Sequence, residues 1–506
     1  MKKILFGVLL SLILGFNAKA DTPAPKYEFR GVYLPVVGSM DWWELNSAAQ
    51  EKYIKDFMSQ MKNARFNTVI FQVRPAGDAV YKSEIEPWSA YITGERGEAP
   101  DEEDWDPLEC AIKAAHDNGL QLYAWITPMR LTVDENDTLQ STHDINKHPE
   151  RYYKVKESIF ADPGYAENRD YLCGIVRDIV TRYDVDGIHF DDFFYPYPPV
   201  GNKFTGDNPS YNASNKELSR DEWRRNNVNL LLEQTNRTIK AVKPWVRFGV
   251  SPHEIWRNVE VDPKGSDTSG NVQDYDDLYE DVLVWMENGW VDYVAPQLHK
   301  PFGHRTAPSR ILARWWNDNA NGVDIYLENE VRNVMTSSDP VSKKTNELAG
   351  RFDLSRELEN VKGNIWSDGF TIMSNYKGIK SNLEDKYQST YAVAPMYGNT
   401  AELPQAVKGL KFMNNGEDGV YLTWQKVQNG TTPKSTDVVK YIVYEYFDDE
   451  DPSDLNNVNA IISMGPDNII LICDTDKEID DIKGHTYVVI AVDRMNRESK
   501  PMKILM

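Results

Sequence analysis

The sequence predicts an α/β protein, a (β/α)8 TIM barrel followed by a small all-β sandwich. Three observations predict it. From Glu28 to about Ile372, short apolar runs alternate with longer amphipathic stretches. Eight such runs occur, interleaved with helical patterns, which is the signature of a closed parallel barrel. Near Asn399 the pattern changes to period-two alternation between turn residues, over about 100 residues. The expected divisions are a leader over residues 1–20, the barrel over 21–400 and the sandwich over 401–506.

The strands are expected at FRGVYLP (29–35), NTVIFQVRP (67–75), QLYAWITP (121–128), DGIHFDD (186–192), VRFGVSP (246–252), VDYVAPQL (291–298), VDIYL (323–327) and FTIMS (370–374). Between them, stretches such as QEKYIKDFMSQMKNARF and NVNLLLEQTNRTIKAVKP carry apolar residues at helical spacing. In the sandwich, GVYLTWQKV, KYIVYEYF and TYVVIAVDR alternate apolar and polar positions.

At 506 residues the chain is long for one core, which favours two domains. The net charge of −22 and pI of about 4.9 argue against nucleic acid or an anionic membrane surface as partner, because both select a basic face. Lys2-Lys3 precede an apolar run from Ile4 to Gly15, and Ala18-Lys19-Ala20 offers a small-x-small cleavage site. That is the pattern of a secretory signal peptide, too short to span a bilayer. An exported protein, periplasmic or extracellular and without a transmembrane segment after cleavage, is therefore expected. Cys110, Cys173 and Cys473 are too few and too scattered for a disulfide framework. No CxxC or HExxH spacing occurs, so neither a metal nor another cofactor is expected.

The chemistry concentrates in VDGIHFDDFFYP (185–196). Side chains alternate along a strand, so His189 and Asp191 share one side while Ile188 and Phe190 share the other. The apolar pair suits the layer under the helices, which sends His189 and Asp191 into the barrel. Active sites of such barrels lie at the C-terminal strand ends. Arg74, Arg130, Asp191, His253 and Gln297 stand at or just past the ends of the second through sixth strands. Asp191 takes the place of a nucleophile or charge stabiliser for an oxocarbenium-like transition state. Asp192 is either the general acid or a partner that fixes the loop. Glu254 is the rival acid, with Trp256 able to raise its pKa. Glu328 and Glu330, after the seventh strand, are third-line candidates for the acid, with surface charge as the favoured reading. His189 is given a positioning role. Arg74 and Arg130 offer donor forks for sugar oxygens or for structural carboxylates. Gln297 and Asn258 supply amides, and Trp125, Tyr195, His253 and Trp256 complete the expected substrate-binding set.

The motifs FRGVYLPV, FQVRPAGDAVYKSEIEPWSAYITG, AWITPMR, VDGIHFDDFFYP, DEWRRNNVN, SPHEIWRN and DYDDLYEDVLVWMENGWVDYVAPQL, in that order over about residues 28–375, resemble glycosyl hydrolase-like family 10. The C-terminal stretch, through Trp424, KYIVYEYF and YVVIAVDRMNRES, resembles a fibronectin type III module. The resemblance implies a TIM-barrel glycosidase of bacterial cell envelopes, cleaving a peptidoglycan-type glycan or another polysaccharide. Two motifs depart from the family pattern. His253-Glu254 replace an aromatic and Gly, and His299-Lys300 replace an aromatic pair.

Two other functions remain open to the sequence. A metal-dependent polysaccharide hydrolase or deacetylase could draw ligands from Asp191, Asp192, His253, His299 and His304. A non-catalytic glycan-binding barrel could keep the cleft without turnover.

Overall fold

The computed structural model describes residues 23–38, 40–133, 137–198, 204–398, 402–416, 419–474 and 479–506, so the expected signal peptide lies outside the described residues. The first three apolar runs form β1 (Phe29–Leu34), β2 (Thr68–Arg74) and β3 (Gln121–Ile126). A hairpin, β4 (Tyr152–Val155) and β5 (Ser158–Ala161), interrupts the connection after β3. The barrel continues with β6 (Gly187–Phe190), β7 (Arg247–Val250), β8 (Tyr293–Val294), β9 (Asp324–Glu330) and β10 (Val361–Ser367). Running β1-β2-β3-β6-β7-β8-β9-β10, the eight parallel strands close on themselves. Every residue of β1 and β2 is buried, which is why these strands are continuous apolar runs rather than alternating ones.

The eighth strand differs from the expectation. FTIMS lies in the short helix Gly369–Met373, and the strand is VKGNIWS just before it. Asp368 caps that helix by accepting the Thr371 N–H at 2.6 Å, a local bond that ends the strand at Ser367. Lys362, Gly363 and Asn364 break the apolar run that a sequence search needs, yet Asn364 is buried and bonded to Asn329 and Ser355.

The barrel interior is aromatic. Phe29 stacks on Tyr326 with ring centroids 3.8 Å apart, and Tyr123, Tyr293 and Ile365 fill the same layer. Rings of this size fit only where the facing strand lacks a side chain. A Cβ on Gly249 would lie 2.2 Å from the Tyr293 ring, and one on Gly187 would lie 2.7 Å from Tyr123. Below this layer Arg247 plugs the N-terminal end of the barrel, donating to Asp324 at 2.9 Å and to the Asp292 carbonyl at 2.8 Å.

Beyond the barrel, β11 (Lys408–Asn414), β12 (Val420–Gln425) and β15 (Ile469–Cys473) form one antiparallel sheet. A second sheet has the order β14 (Ile461–Gly465), β13 (Val438–Tyr446), β16 (Thr486–Asp493), β17 (Met502–Leu505). Trp424 is buried with Tyr441, Val443 and Tyr487 between the sheets. This unit docks at the N-terminal strand ends. Arg494 donates twice to Asp184, at 2.8 and 3.0 Å, and Glu498 takes Lys26 and Tyr27 at 2.8 and 2.7 Å. The Tyr397 hydroxyl is shared between the Trp245 and Arg494 carbonyls, at 2.8 Å each.

Gly249→Ala is expected to destabilise the protein by about 1–3 kcal/mol through overpacking against Tyr293, measured as a lowered denaturation midpoint with unchanged slope.

Candidate active site

At the C-terminal strand ends, buried polar groups gather around Asp191 and Asp192. His189, at the centre of β6, is fully buried between two hydroxyls: Tyr33 at 2.9 Å from Nε2 and Tyr293 at 2.9 Å from Nδ1. The Tyr33 hydroxyl spends its one hydrogen on Glu328, at 2.9 Å. Its oxygen must therefore accept from His189 Nε2–H, so Nδ1 accepts from Tyr293. Burial pushes the imidazole down to about 4, keeping it neutral. His189 is thus a fixed strut between β1 and β8.

Glu328, expected at the surface, is one of the most tightly held carboxylates in the barrel. It accepts from Tyr33, from Ser251 and from His299, the last at 2.7 Å. Burial alone would raise its pKa, but the charge of His299 and these donors hold it below the ordinary carboxylate range. It is a committed anion. Strand order places β9 three strands round the barrel from β6, so Glu328 stands across the mouth from the Asp pair.

Asp191 is anchored through one oxygen. Oδ2 accepts from the Trp125 indole at 2.9 Å and from the Thr127 hydroxyl at 2.6 Å, Oδ1 is buried without a side-chain donor, and the Phe193 backbone N–H also favours the ionised carboxylate. Burial raises its pKa, opposed by the guanidinium of Arg130, which stacks 3.8 Å above the Phe193 ring. Because β6 ends at Phe190, the chain is free to turn both aspartates toward the mouth. Asp192 accepts from the Tyr197 hydroxyl in a short bond. Burial pushes its carboxyl up to about 7, with the charge of Asp191 adding to the rise and the Gln297 amide tempering it. The two neighbours therefore differ in chemistry. Asp192 holds a proton near neutrality.

Glu254 is buried and pushed up to about 6 by desolvation, against the charges of Lys300 and His299. His253 is pushed down to about 4 by burial and packs edge-on to Tyr197.

A family model described as Glycosyl hydrolase-like 10 matches residues 28–342, the segment that carries these residues. The chain belongs to the glycosyl hydrolase-like 10 family. It is 32% identical over 522 residues to "Glycosyl hydrolase YngK" of Bacillus subtilis (strain 168), covering 99% of this chain and 98% of that protein. It is 36% identical over 325 residues to "Glycosyl hydrolase DigH" of Escherichia coli (strain K12), covering 60% of this chain and 73% of that protein. Among solved structures it is similar to the glycoside hydrolase domain of PgaB (BpsB) from Bordetella bronchiseptica, at 11% identity and a TM-score of 0.45, covering 71% of this chain and 98% of that chain.

Four of the expected substrate contacts take other positions in this glycosyl hydrolase-like 10 chain. Arg74 is 1% exposed and gives both arms of its fork to Glu86 at 2.8 Å, with Nη1 on the Thr127 and Pro128 carbonyls. It clamps two loops instead of a sugar. Tyr195 is fully buried against Phe204 and Tyr279, because the chain after Asp192 turns it inward. Trp256 is buried against Trp315, rings 5.7 Å apart and nearly parallel, so neither face is offered to a sugar. Asn258 braces its own loop through Gly270, Thr268 and Gln273. Trp125, Arg130, His253 and Gln297 remain half-buried at the mouth.

Two carboxyls escaped the sequence reading. Asp274 and Glu280 are fully buried, and none of their four oxygens has a side-chain donor, the His253 backbone N–H alone favouring the ionised form of Asp274. They flank a π-helical turn, Asp274–Leu278, closed by Tyr279 in the left-handed region at φ 62°. That irregular backbone turns side chains inward that a regular helix would leave in water. Burial, with the charge of Asp192 adding to it, raises both far above the ordinary range, so they stand as neutral acids. Their signal in the sequence was DYDDLYED, a run that otherwise looks like a solvated acidic face.

Among the described residues no group of three or more His, Cys, Asp or Glu side chains could hold a metal ion. Of the metal alternative's ligands, His299 is bound to Glu328, Asp191 to Trp125 and Thr127, and Asp192 to Tyr197.

Arg74→Met is expected to cost about 3–5 kcal/mol of stability, because it strands Glu86 in the interior; equilibrium denaturation checks this. A group whose pKa is raised by folding stabilises the fold below its unfolded value, about 4.3 for Glu, and loses that contribution as pH climbs. Glu280→Gln should therefore raise Tm relative to the natural chain, by a margin that grows between pH 5 and 8.

Proposed function

We propose that the protein is an exported glycoside hydrolase that cleaves O-glycosidic bonds in a bacterial cell-wall glycan of the peptidoglycan type. The observation that carries the reaction type is the contrast within one pair of neighbours. Burial pushes Asp192 up to about 7, so it exchanges its proton near neutral pH, and Asp191 is fixed beside it by the Trp125 and Thr127 side chains. A general acid works best with a pKa near the operating pH. Asp192 protonates the departing glycosidic oxygen, Asp191 is the second carboxylate of the reaction, and Glu328 adds fixed negative charge across the mouth, where positive charge develops on the ring. Arg130, Gln297, Trp125 and His253 line the place where the sugar lies.

Membership of the glycosyl hydrolase-like 10 family supports the reaction class. The leader pattern of Lys2-Lys3 and the apolar run from Ile4 to Gly15 supports export and, with it, an envelope glycan. The C-terminal sheets, three and four antiparallel strands around Trp424, support a fibronectin type III-like module acting as a spacer or docking element.

Asp192→Asn is expected to lower kcat/KM on purified cell-wall glycan strands by about 10²–10⁴-fold, with a smaller loss on substrates whose leaving group needs no proton. In the natural enzyme, activity should fall as pH rises through about 7, where Asp192 loses its proton. The Asn variant should lack that limb. Full turnover by the variant refutes the assignment, and loss of turnover on EDTA treatment would favour a metal-dependent hydrolase instead.

A further inference from the structure

Of the fourteen tryptophans, all within the described residues, Trp43 alone is exposed, at 43%. Its neighbour Trp42 is fully buried, edge-on to Tyr53 with ring centroids 5.2 Å apart. The two share a 3-10 turn, Trp42–Glu44, in which successive side chains stand about 120° apart, so the anchor turns the next ring outward. A lone exposed ring needs no explanation. This one lines a cleft of about 300 Å³, at the lower end of ligand-site volumes. Gln50, buried at its base, holds the walls apart. Its amide nitrogen is shared among the Trp42, Leu45 and Ile92 carbonyls, at 3.1, 3.1 and 3.0 Å, and its oxygen accepts from the Trp105 indole at 2.9 Å. Gly94, at φ 93°, passes beside the indole with no side chain to cover it; a Cβ there would lie 3.8 Å from Trp43. Glu44, Glu98 and Asp101 also line the cleft, and no Lys, Arg or His does. Asp101 is committed to the Ser47 N–H at 2.8 Å and to its hydroxyl, which leaves Glu44 and Glu98 as the acceptors for a ligand. An aromatic face beside carboxylate acceptors suits a pyranose, whose C–H face packs on the indole while its hydroxyls donate. A ring with a carboxylate of its own is repelled.

We propose that Trp43 is the platform of a second carbohydrate site, which holds one uncharged pyranose ring of a glycan chain outside the mouth, with Glu44 and Glu98 accepting from its hydroxyls. The inference rests on the hydrolase reading above for the polymer that reaches the site, and no bond is made or broken there. Trp43 lies in the connection after β1, and Gly94 and Glu98 in the connection after β2, so the cleft belongs to the catalytic side of the barrel. It nevertheless stands apart from the Asp pair. β1 is three strands round from β6, and the cleft shares no lining residue with the mouth. The consequence is a preference for chain length. A strand long enough to reach both the Asp pair and Trp43 is held at two points, so its second contact forms at a high effective concentration, and a short strand is held at the mouth alone.

The test compares the full chain with its Trp43→Ala and Trp43→Phe variants on a β-1,4-linked N-acetylglucosamine trimer and on long, purified peptidoglycan glycan strands. Binding is read by isothermal titration in an Asp192→Asn background, so that it does not depend on turnover, and KM and kcat are read with Asp192 intact. Trp43→Ala should weaken binding of the long strands about tenfold and raise their KM to match, with kcat, the trimer's affinity and Tm unchanged. Trp43→Phe, which keeps an apolar ring, should recover most of the lost affinity. Unchanged affinity for long strands in Trp43→Ala overturns the inference, as does an equal loss on trimer and strand with a fall in kcat. Tighter, salt-sensitive and Trp43-dependent binding of free-amine glucosamine oligomers also overturns it, because the cleft is then a cation site. Trp43-dependent binding of long strands with no cleavage of any glycan upholds the inference and sinks the hydrolase reading alone.

Discussion

Carboxylates buried together in one water-poor mouth must each be neutralised or supplied with donors, because an uncompensated charge there is too costly to keep. Asp191, Asp192, Glu254, Asp274, Glu280 and Glu328 all crowd this region, and the rest of the site follows from how each meets that demand. Glu328 is given Tyr33, Ser251 and His299 and stays ionised. Asp274 and Glu280 are given no side-chain donor and stay protonated. Asp192 lies between these extremes, with Tyr197 as donor and Asp191 as a repelling neighbour. The barrel rim thus holds a permanent anion, two permanent acids and, in Asp192 and Glu254, two groups able to change state near neutrality. The proposed mechanism uses that separation of roles.

The same demand explains the barrel's inner chemistry. Tyr33 and Tyr293 could be replaced by Phe without changing the packing volume much, yet their hydroxyls fix the His189 tautomer and orient Glu328. Gly187 and Gly249 in turn leave room for the Tyr123 and Tyr293 rings. Backbone spacing, ring packing and the ionisation of a carboxylate two strands away from β7 are therefore linked through contiguous contacts.

Most of the fold was legible because barrel strands buried on both faces are compact apolar runs, and seven of the eight expected runs are strands in the structure. The eighth failed because β10 is held by the side chain of Asn364, which gives no hydrophobic signal. Strand parity correctly turned His189 inward, since alternation is a local rule. What parity could not show was long-range pairing. Arg74 meets Glu86 through a loop, and Glu328 meets partners from β1, from the residue after β7 and from His299, contacts with no sequence periodicity. Asp274 and Glu280 were hidden for another reason, because an acidic run on a π-helical turn has the composition of an exposed helix face. Tyr195, Trp256 and Asn258 show the converse error: standing near a strand end does not decide which way a loop residue faces.

The joint between barrel and sandwich carries a consequence for orientation. Lys26 and Tyr27, where the chain enters the barrel, are both gripped by Glu498, and Tyr397, where it leaves, bonds to Trp245 and to the Arg494 carbonyl. Entrance, exit and the second domain therefore gather at one pole, with the rim of Asp191 and Asp192 at the other. A hold placed on either the sandwich or the N-terminal segment would leave the mouth facing outward. A polymer too large to diffuse could then be approached end-on by the barrel, as a tool is held by its handle.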